Sequence, residues 1–298
     1  MRGSREETVR LASGFRMPLI GLGTHRLAGK ECVRAVRTAM SLGYRHIDTA
    51  EMYANEEDIG RAIRGHDRAG LFITSKVWRT HLRRRSLIRS CRASLGRLGT
   101  PYLDLYLVHW PDRSVPIKET LAAMKELVAQ GLVRSIGVSN FGPSLLQEAL
   151  KASDIPITND QVEFHPYLYQ RELLAFSKRN GVTMTAYCPV AKGTVFRDPV
   201  LTEIGVRHGK TAGQVSLRWL LQHGLAAIPK SGNPAHMREN MGVFGWRLSA
   251  AEMRRMDSLG TSRRLISPAF TGLPYFVLNA AQRALTLARA GSRGRSRA

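Results

Sequence analysis

A chain of 298 residues, 43% hydrophobic and 23% charged, has enough apolar material for one large core or two smaller ones, and too much for a disordered chain. No run approaches the roughly 18–20 apolar residues of a bilayer span, the first residues lack a signal peptide's apolar stretch, and Cys32, Cys91 and Cys188 stand in no CxxC spacing, which disfavours a membrane span, secretion and a thiolate zinc site. The anomaly is charge: 45 basic against 23 acidic residues give +22, a field that attracts polyanions and repels cations.

In chain order, residues 8–17 read as a hairpin and 20–24 as the first strand. Further strands are expected at 46–50, 71–78, 103–110, 133–140, 157–164, 183–190 and 226–231. Helix-like runs lie between them, for example at 30–42, 56–64, 84–98, 117–130 and 212–222, with Gly131 placed to cap the fourth. Several strands are nearly continuous apolar runs, as parallel strands buried on both faces should be. Eight strands alternating with helices predict an α/β fold, a (β/α)8 TIM barrel, whose usual length is about 250 residues. The competitor is an open doubly wound sheet with a glycine-rich first turn. Ile20-Gly21-Leu22-Gly23-Thr24 supplies two of its glycines but no third at the right spacing.

The predicted organisation is therefore a barrel over residues 1–270, its floor closed by the N-terminal hairpin, and a basic C-terminal extension over 271–298. Residues 261–274 read as an irregular loop, 275–290 as an amphipathic helix carrying Arg283 and Arg289, and 291–298 as disordered. Cationic runs are short, Arg83-Arg84-Arg85 and Arg263-Arg264, and basic residues are otherwise scattered. No zinc-finger or RNA-recognition spacing accompanies them, so no specific nucleic-acid partner is expected, only nonspecific binding at low salt.

In a barrel, side chains at the C-terminal strand ends converge on one face, where catalysis sits. Asp48 ends the second predicted strand, Lys76 lies near the end of the third and His109 near that of the fourth, and Tyr53 follows Asp48 in the loop. Each alone has an ordinary structural explanation. Together they would place an acid, a base and a cation in one small site.

The stretches MPLIGLGT (17–24), HIDTAEMYANEEDIGRAI (46–63), SKVW (75–78), DLYLVHWP (104–111), IGVSNF (136–141), DQVEFHPYLYQ (160–170), AYCPVAKG (186–193) and IPKS (228–231) resemble, in order, the aldo-keto reductase family. Within it, the chain is most like the small bacterial reductases related to diketogluconate reductase. The resemblance implies a monomeric, cytoplasmic (β/α)8 barrel that reduces carbonyls with a nicotinamide cofactor and no metal. The family's catalytic tetrad falls on Asp48, Tyr53, Lys76 and His109.

Hydride delivered to a carbonyl carbon leaves an alkoxide that must be protonated as it forms. Tyr53 is the expected acid. Lys76 is expected to lower its pKa, with Asp48 holding the lysine charged, and His109 to donate to the carbonyl oxygen.

The resemblance also carries nicotinamide-carboxamide contacts onto Ser139, Asn140 and Gln161, and a stacking ring onto Tyr187. Gly23, Thr24 and Asp48 join the cofactor set, and so do Glu239 and Asn240. Cys188 stands where serine is commoner, near the loop over the pyrophosphate. Lys230 and Ser231 fall where the 2′-phosphate is read. The arginine that usually follows is here His236, mostly neutral near pH 7 and unable to form a guanidinium fork. NADPH is therefore expected as the cofactor, with NADH a possible donor. His25, Trp78, His109 and Trp110 are the expected substrate wall, suited to small aldehydes or ketones such as dicarbonyls, keto-sugars and aromatic aldehydes. The alternative reading is a cofactor-binding regulatory barrel without physiological turnover.

Overall fold

A computed structural model describes residues 7–266. The chain opens with an antiparallel hairpin, β1 (Thr8–Arg10) and β2 (Arg16–Pro18), registered Thr8 to Pro18. Leu11 and Met17 from this hairpin pack with Phe72, Leu105, Leu107 and Ala226 in a small apolar cluster. Those partners lie on barrel strands, so the hairpin plugs the floor, as expected.

Eight parallel strands follow: β3 (Leu22–Gly23), β4 (His46–Asp48), β5 (Phe72–Val77), β6 (Leu105–Val108), β7 (Ile136–Ser139), β8 (Ile157–Glu163), β9 (Thr183–Tyr187) and β10 (Ala226–Ala227). Each pairs with the next in sequence from β3 to β9, and β9 pairs with β10. The ring closes through parallel bridges Ile20 to Ala227 and Gly23 to Lys230. There the Gly21 amide donates to the Ala227 carbonyl at 2.9 Å and the Gly23 amide to the Pro229 carbonyl at 3.2 Å. A Cβ on Gly23 would lie 2.6 Å from the Ile228 carbonyl oxygen, and one on Gly21 would lie 2.7 Å from the His46 ring. The paired glycines thus let two strands meet at the seam. They are not a phosphate loop.

Helices α1 (Gly29–Ser41), α2 (Glu56–Ile63), α3 (Arg84–Leu98), α4 (Ile117–Ala129), α5 (Pro143–Ala152) and α6 (Arg171–Arg179) each follow one strand from β3 to β8. Two helices, α7 (Pro199–His208) and α8 (Ala212–Gln222), follow β9, and α9 (Pro234–Met241) and α10 (Ala250–Asp257) follow β10. Local chemistry sets these ends. Asp198 caps α7 by accepting from the Val200 amide at 2.9 Å, with Pro199 in the first turn. Thr211–Gln214 and Ser249–Glu252 form capping boxes at α8 and α10.

The strands end earlier than the sequence suggested, at Val108 instead of 110 and at Tyr187 instead of 190. At the mouth the backbone leaves the ladder: Asn140 and Cys188 take φ of 66° and 52°, which no strand accommodates. Residues 261–266 are irregular, as expected. The expected extension over 271–298, with its helix at 275–290, lies outside the described residues. Among the described residues, no helix is long and apolar enough to cross a membrane.

Candidate active site

At the end of β4, Asp48 accepts from the Lys76 ammonium of β5 at 2.6 Å, and both side chains are shut off from solvent. The same ammonium donates to the Thr49 carbonyl at 2.8 Å. The second Asp48 oxygen accepts from the Gln161 amide of β8 at 2.7 Å. Three strands therefore meet on one carboxylate.

Tyr53 rides on a single 3-10 turn, Glu51–Tyr53, directly after β4. Ala54 closes the turn in the left-handed region, φ 55°. Asn55 then pins it, donating to the Thr24 and Leu27 carbonyls at 2.9 Å each and accepting from the Thr49 hydroxyl at 2.7 Å. The Lys76 nitrogen lies 5.0 Å from the Tyr53 ring centre, and the His109 ring meets Tyr53 edge-on at 5.6 Å. The structure thus gathers all four expected tetrad residues.

Burial pushes Lys76 below the usual lysine range, and Asp48 pulls it back. Burial, then Lys76 and His25, hold His109 well below the usual imidazole range, so it is neutral near pH 7. Its Nδ1 is buried with no partner among the described residues.

Tyr53 departs from expectation. Burial, then Asp48, push its hydroxyl well above the usual tyrosine range. A phenolate here would lose its hydration, and Asp48 offsets part of the Lys76 charge that would otherwise favour it.

The expected nicotinamide contacts form one network. The Ser139 hydroxyl donates to the Gln161 carbonyl at 2.6 Å, and the Asn140 amide donates to the His109 carbonyl at 3.0 Å. Tyr187 donates to the Asn140 side-chain oxygen at 2.7 Å, which fixes its ring at the mouth. Tyr187 and Cys188 are half-buried and reachable from the mouth. Around His25, burial and then Arg26, Lys76, Lys230 and Lys192 lower its pKa to about 4, the mark of a positive field. Lys230 and His236 are exposed beside the start of α9, and the Ser231 hydroxyl accepts from the Asn233 amide at 3.0 Å.

Other expected contacts are engaged within the protein. The buried Thr24 hydroxyl donates to the Asp48 carbonyl at 2.8 Å, and Gly23 belongs to the seam. Glu239 accepts from the Thr211 hydroxyl, and Asn240 lies beside Tyr44, whose hydroxyl donates to the Met237 carbonyl at 3.0 Å. At the wall, the His25 ring lies 4.9 Å from Tyr53 and the Trp78 ring 5.2 Å from His109. Trp78 is only 1% exposed, whereas Trp110 is half-buried. Among the described residues, no group of His, Cys, Asp and Glu could hold a metal ion.

Sequence reasoning missed three supports. Asn55 pins the Tyr53 turn. Buried Glu51 accepts from the Trp78 amide and pairs with the His81 ring at 3.1 Å. Glu163, at the end of β8, accepts two backbone amides from residues 265 and 266. Glu163 lies two positions after Gln161 on the same strand, and that period-2 relation was the available signal.

A family model described as the aldo/keto reductase family matches residues 19–261. The glyoxal reductase of Bacillus subtilis (strain 168) is 41% identical over 268 residues, covering 89% of this chain and 97% of that protein. The morphine 6-dehydrogenase of Pseudomonas putida is 40% identical over 275 residues, covering 86% and 92%. Among solved structures, a putative 2,5-diketo-D-gluconic acid reductase B superposes with a TM-score of 0.84 at 41% identity, covering 87% of this chain and 93% of that one.

Proposed function

The chain belongs to the aldo/keto reductase family and is an NAD(P)H-dependent carbonyl reductase, and on that premise we propose that it reduces small aldehydes and ketones to alcohols with NADPH, accepting NADH less well. Dicarbonyls, keto-sugars and aromatic aldehydes are the proposed substrates, with glyoxal-type dicarbonyls first. The observation that carries this reading is the dry Lys76–Asp48 pair set beneath Tyr53 and beside His109.

When bound, the reduced nicotinamide supplies the hydride to the carbonyl carbon. Tyr53 keeps its proton near pH 7 because burial and Asp48 raise its pKa, so the acid starts in the productive state. As negative charge grows on the carbonyl oxygen, Tyr53 transfers that proton to it. Neutral His109 donates a hydrogen bond to the same oxygen and orients it. Lys76 then stabilises the phenolate left on Tyr53, while Asp48 and Gln161 hold the ammonium in register. His25, Trp78 and Trp110 form the wall that receives the substrate's body.

Ser139, Asn140 and Gln161 would hold the carboxamide and Tyr187 the ring face. Lys230, Ser231 and His236 would meet the adenosine phosphate, with Glu239 and Asn240 beyond them. Lys230 and the positive mouth favour NADPH, and His236 weakens that preference. The enzyme is read as a cytoplasmic monomer, with a barrel to residue 270 and an appended basic extension over 271–298.

Tyr53→Phe tests the mechanism. Turnover of methylglyoxal should fall roughly a thousand-fold, as for a lost general acid, while NADPH affinity by fluorescence titration stays within a few-fold. Near-normal turnover would overturn it. A preference for NADH beyond about tenfold, or about 1.4 kcal/mol, would overturn the cofactor reading.

A further inference from the structure

Past β4, Tyr53 sits on a turn of only three residues. From within, the turn is held by the Tyr53 amide on the Ala50 carbonyl at 3.0 Å and the Ala54 amide on the Glu51 carbonyl at 3.2 Å. Two such bonds shape a turn, but they do not set its direction relative to the rest of the barrel. Asn55 fixes its trailing end. Its leading end is Glu51, a carboxylate only 4% exposed that the chemistry above does not use.

That carboxylate reaches across to β5. Its Oε1 accepts from the Trp78 amide, where the chain leaves the strand that carries Lys76, and from the His81 ring Nδ1 at 3.1 Å. To donate to a carboxylate, Nδ1 must carry a proton, so the pair fixes which ring nitrogen is protonated. His81 is itself moored to α3, because the Ser90 hydroxyl lies 3.2 Å from the same nitrogen. The His81 amide donates to the Trp78 carbonyl at 2.9 Å, so residues 78–81 form one turn closed on the carboxylate. Trp78 in turn sets its ring edge-on against His109. One buried oxygen thus joins the Tyr53 turn to the end of the Lys76 strand and to the ring beside His109.

We propose that Glu51 is a positioning residue for the proton transfer: it locks the Tyr53 turn against the end of β5 and so holds the Tyr53 hydroxyl where a carbonyl oxygen receives its proton. This rests on the carbonyl-reductase reading of the same mouth. A misplacement of about 1 Å can cost a reacting group about a hundredfold in rate while binding is spared. Glu51 works by where its oxygen lies. Its charge matters less, because the Trp78 and His81 donors are served by a carboxylate or an amide oxygen alike.

Two variants of the full chain separate position from charge. Glu51→Gln keeps the reach and an oxygen with two lone pairs, and drops the charge. Glu51→Asp keeps the charge and withdraws it by one methylene. With NADPH, kcat for methylglyoxal should fall about tenfold or more in Glu51→Asp and stay within about threefold of wild type in Glu51→Gln. KM for methylglyoxal, and NADPH affinity by fluorescence titration, should stay within about twofold in both. The solvent deuterium effect on kcat should rise in Glu51→Asp alone, because proton transfer then limits turnover. In the ligand-free proteins, amide hydrogen exchange at residues 51–54 and 78–81 should quicken about tenfold in Glu51→Asp and not in Glu51→Gln. The reverse order of the two variants would overturn the proposal. So would an unchanged kcat or deuterium effect in Glu51→Asp, the mark of a merely structural role. If the wild type reduces no carbonyl, the functional reading fails, and exchange alone then decides whether Glu51 holds the turn.

Discussion

At the site, a charge is useful only because another charge cancels it. Lys76 is tolerable in the barrel because Asp48 and the Thr49 carbonyl receive its ammonium. Tyr53 remains an acid because burial, and then Asp48, disfavour its phenolate. Two histidines at the site contribute to the pH dependence. His25 is held at about 4 and His109 well below its usual range, burial being the largest cause for both. Below about pH 6.5 the unfolded chain binds protons that the folded one refuses, so stability falls as the pH falls and recovers as it rises. Urea midpoints should therefore drop from about pH 7 to about pH 5, and drop less in His25→Phe. An equal drop in both proteins would remove His25 from the account. The tetrad was legible because strand ends converge in any barrel. Asn55 and Glu51 were not, because each meets backbone groups distant in the sequence, and such contacts leave no local period; for Glu163 only its spacing from Gln161 was available.

Elements were legible where hydrophobic runs were long and obscure where the backbone turns. Strands β5, β6, β8 and β9 fall inside their expected spans; β6 is apolar and aromatic throughout, whereas β8 does so although four of its residues are Asn159, Asp160, Gln161 and Glu163. β10 shrinks to Ala226–Ala227, and two residues on, Pro229 brings no amide hydrogen to a ladder. The Gly21-x-Gly23 pair resembles part of a nucleotide turn because both uses need a bare Cα; the missing third glycine already argued against that, and the seam shows what the pair does instead. Gly23→Ala should destabilise the protein by about 3 kcal/mol, since the new methyl meets rigid carbonyl oxygen instead of a movable side chain. Thermal unfolding followed by circular dichroism measures this; a shift below about 2 °C would mean that the seam relaxes freely. At the floor, Asp104 joins Arg68 at 2.6 Å and Arg134 at 3.1 Å, and Tyr102 lies under both guanidinium groups at 4.0 and 3.7 Å. This cluster gives some of the arginine surplus a structural use.

Across the whole molecule, the surplus remains larger than such clusters absorb. Helix α3 carries five arginines and no acid, and only some of them pair with α4 or α2 carboxylates. A chain at +22 repels itself, and salt screens that repulsion within about a Debye length. Raising NaCl from about 0.05 M to about 0.3 M should therefore raise Tm and release the protein from heparin. A falling Tm would show that attractive pairs outweigh the repulsion. The sequence revealed the total charge but not its placement, because placement depends on which helix faces solvent.

The seam has a consequence for how the chain is made. Closing the ring joins residues 20–23 to residues 227–230, among the most sequence-distant pairings in the barrel. A nascent chain emerging from the ribosome can pair β3 through β9 in order, but it cannot close until the residues around Lys230 have left the exit tunnel. Until then the half-made sheet exposes the β3 edge along Leu22–Gly23 and the β9 edge along Thr183–Tyr187, unpaired and open to neighbouring chains. Closure late in synthesis makes the last quarter of the chain the guard against aggregation of the first three.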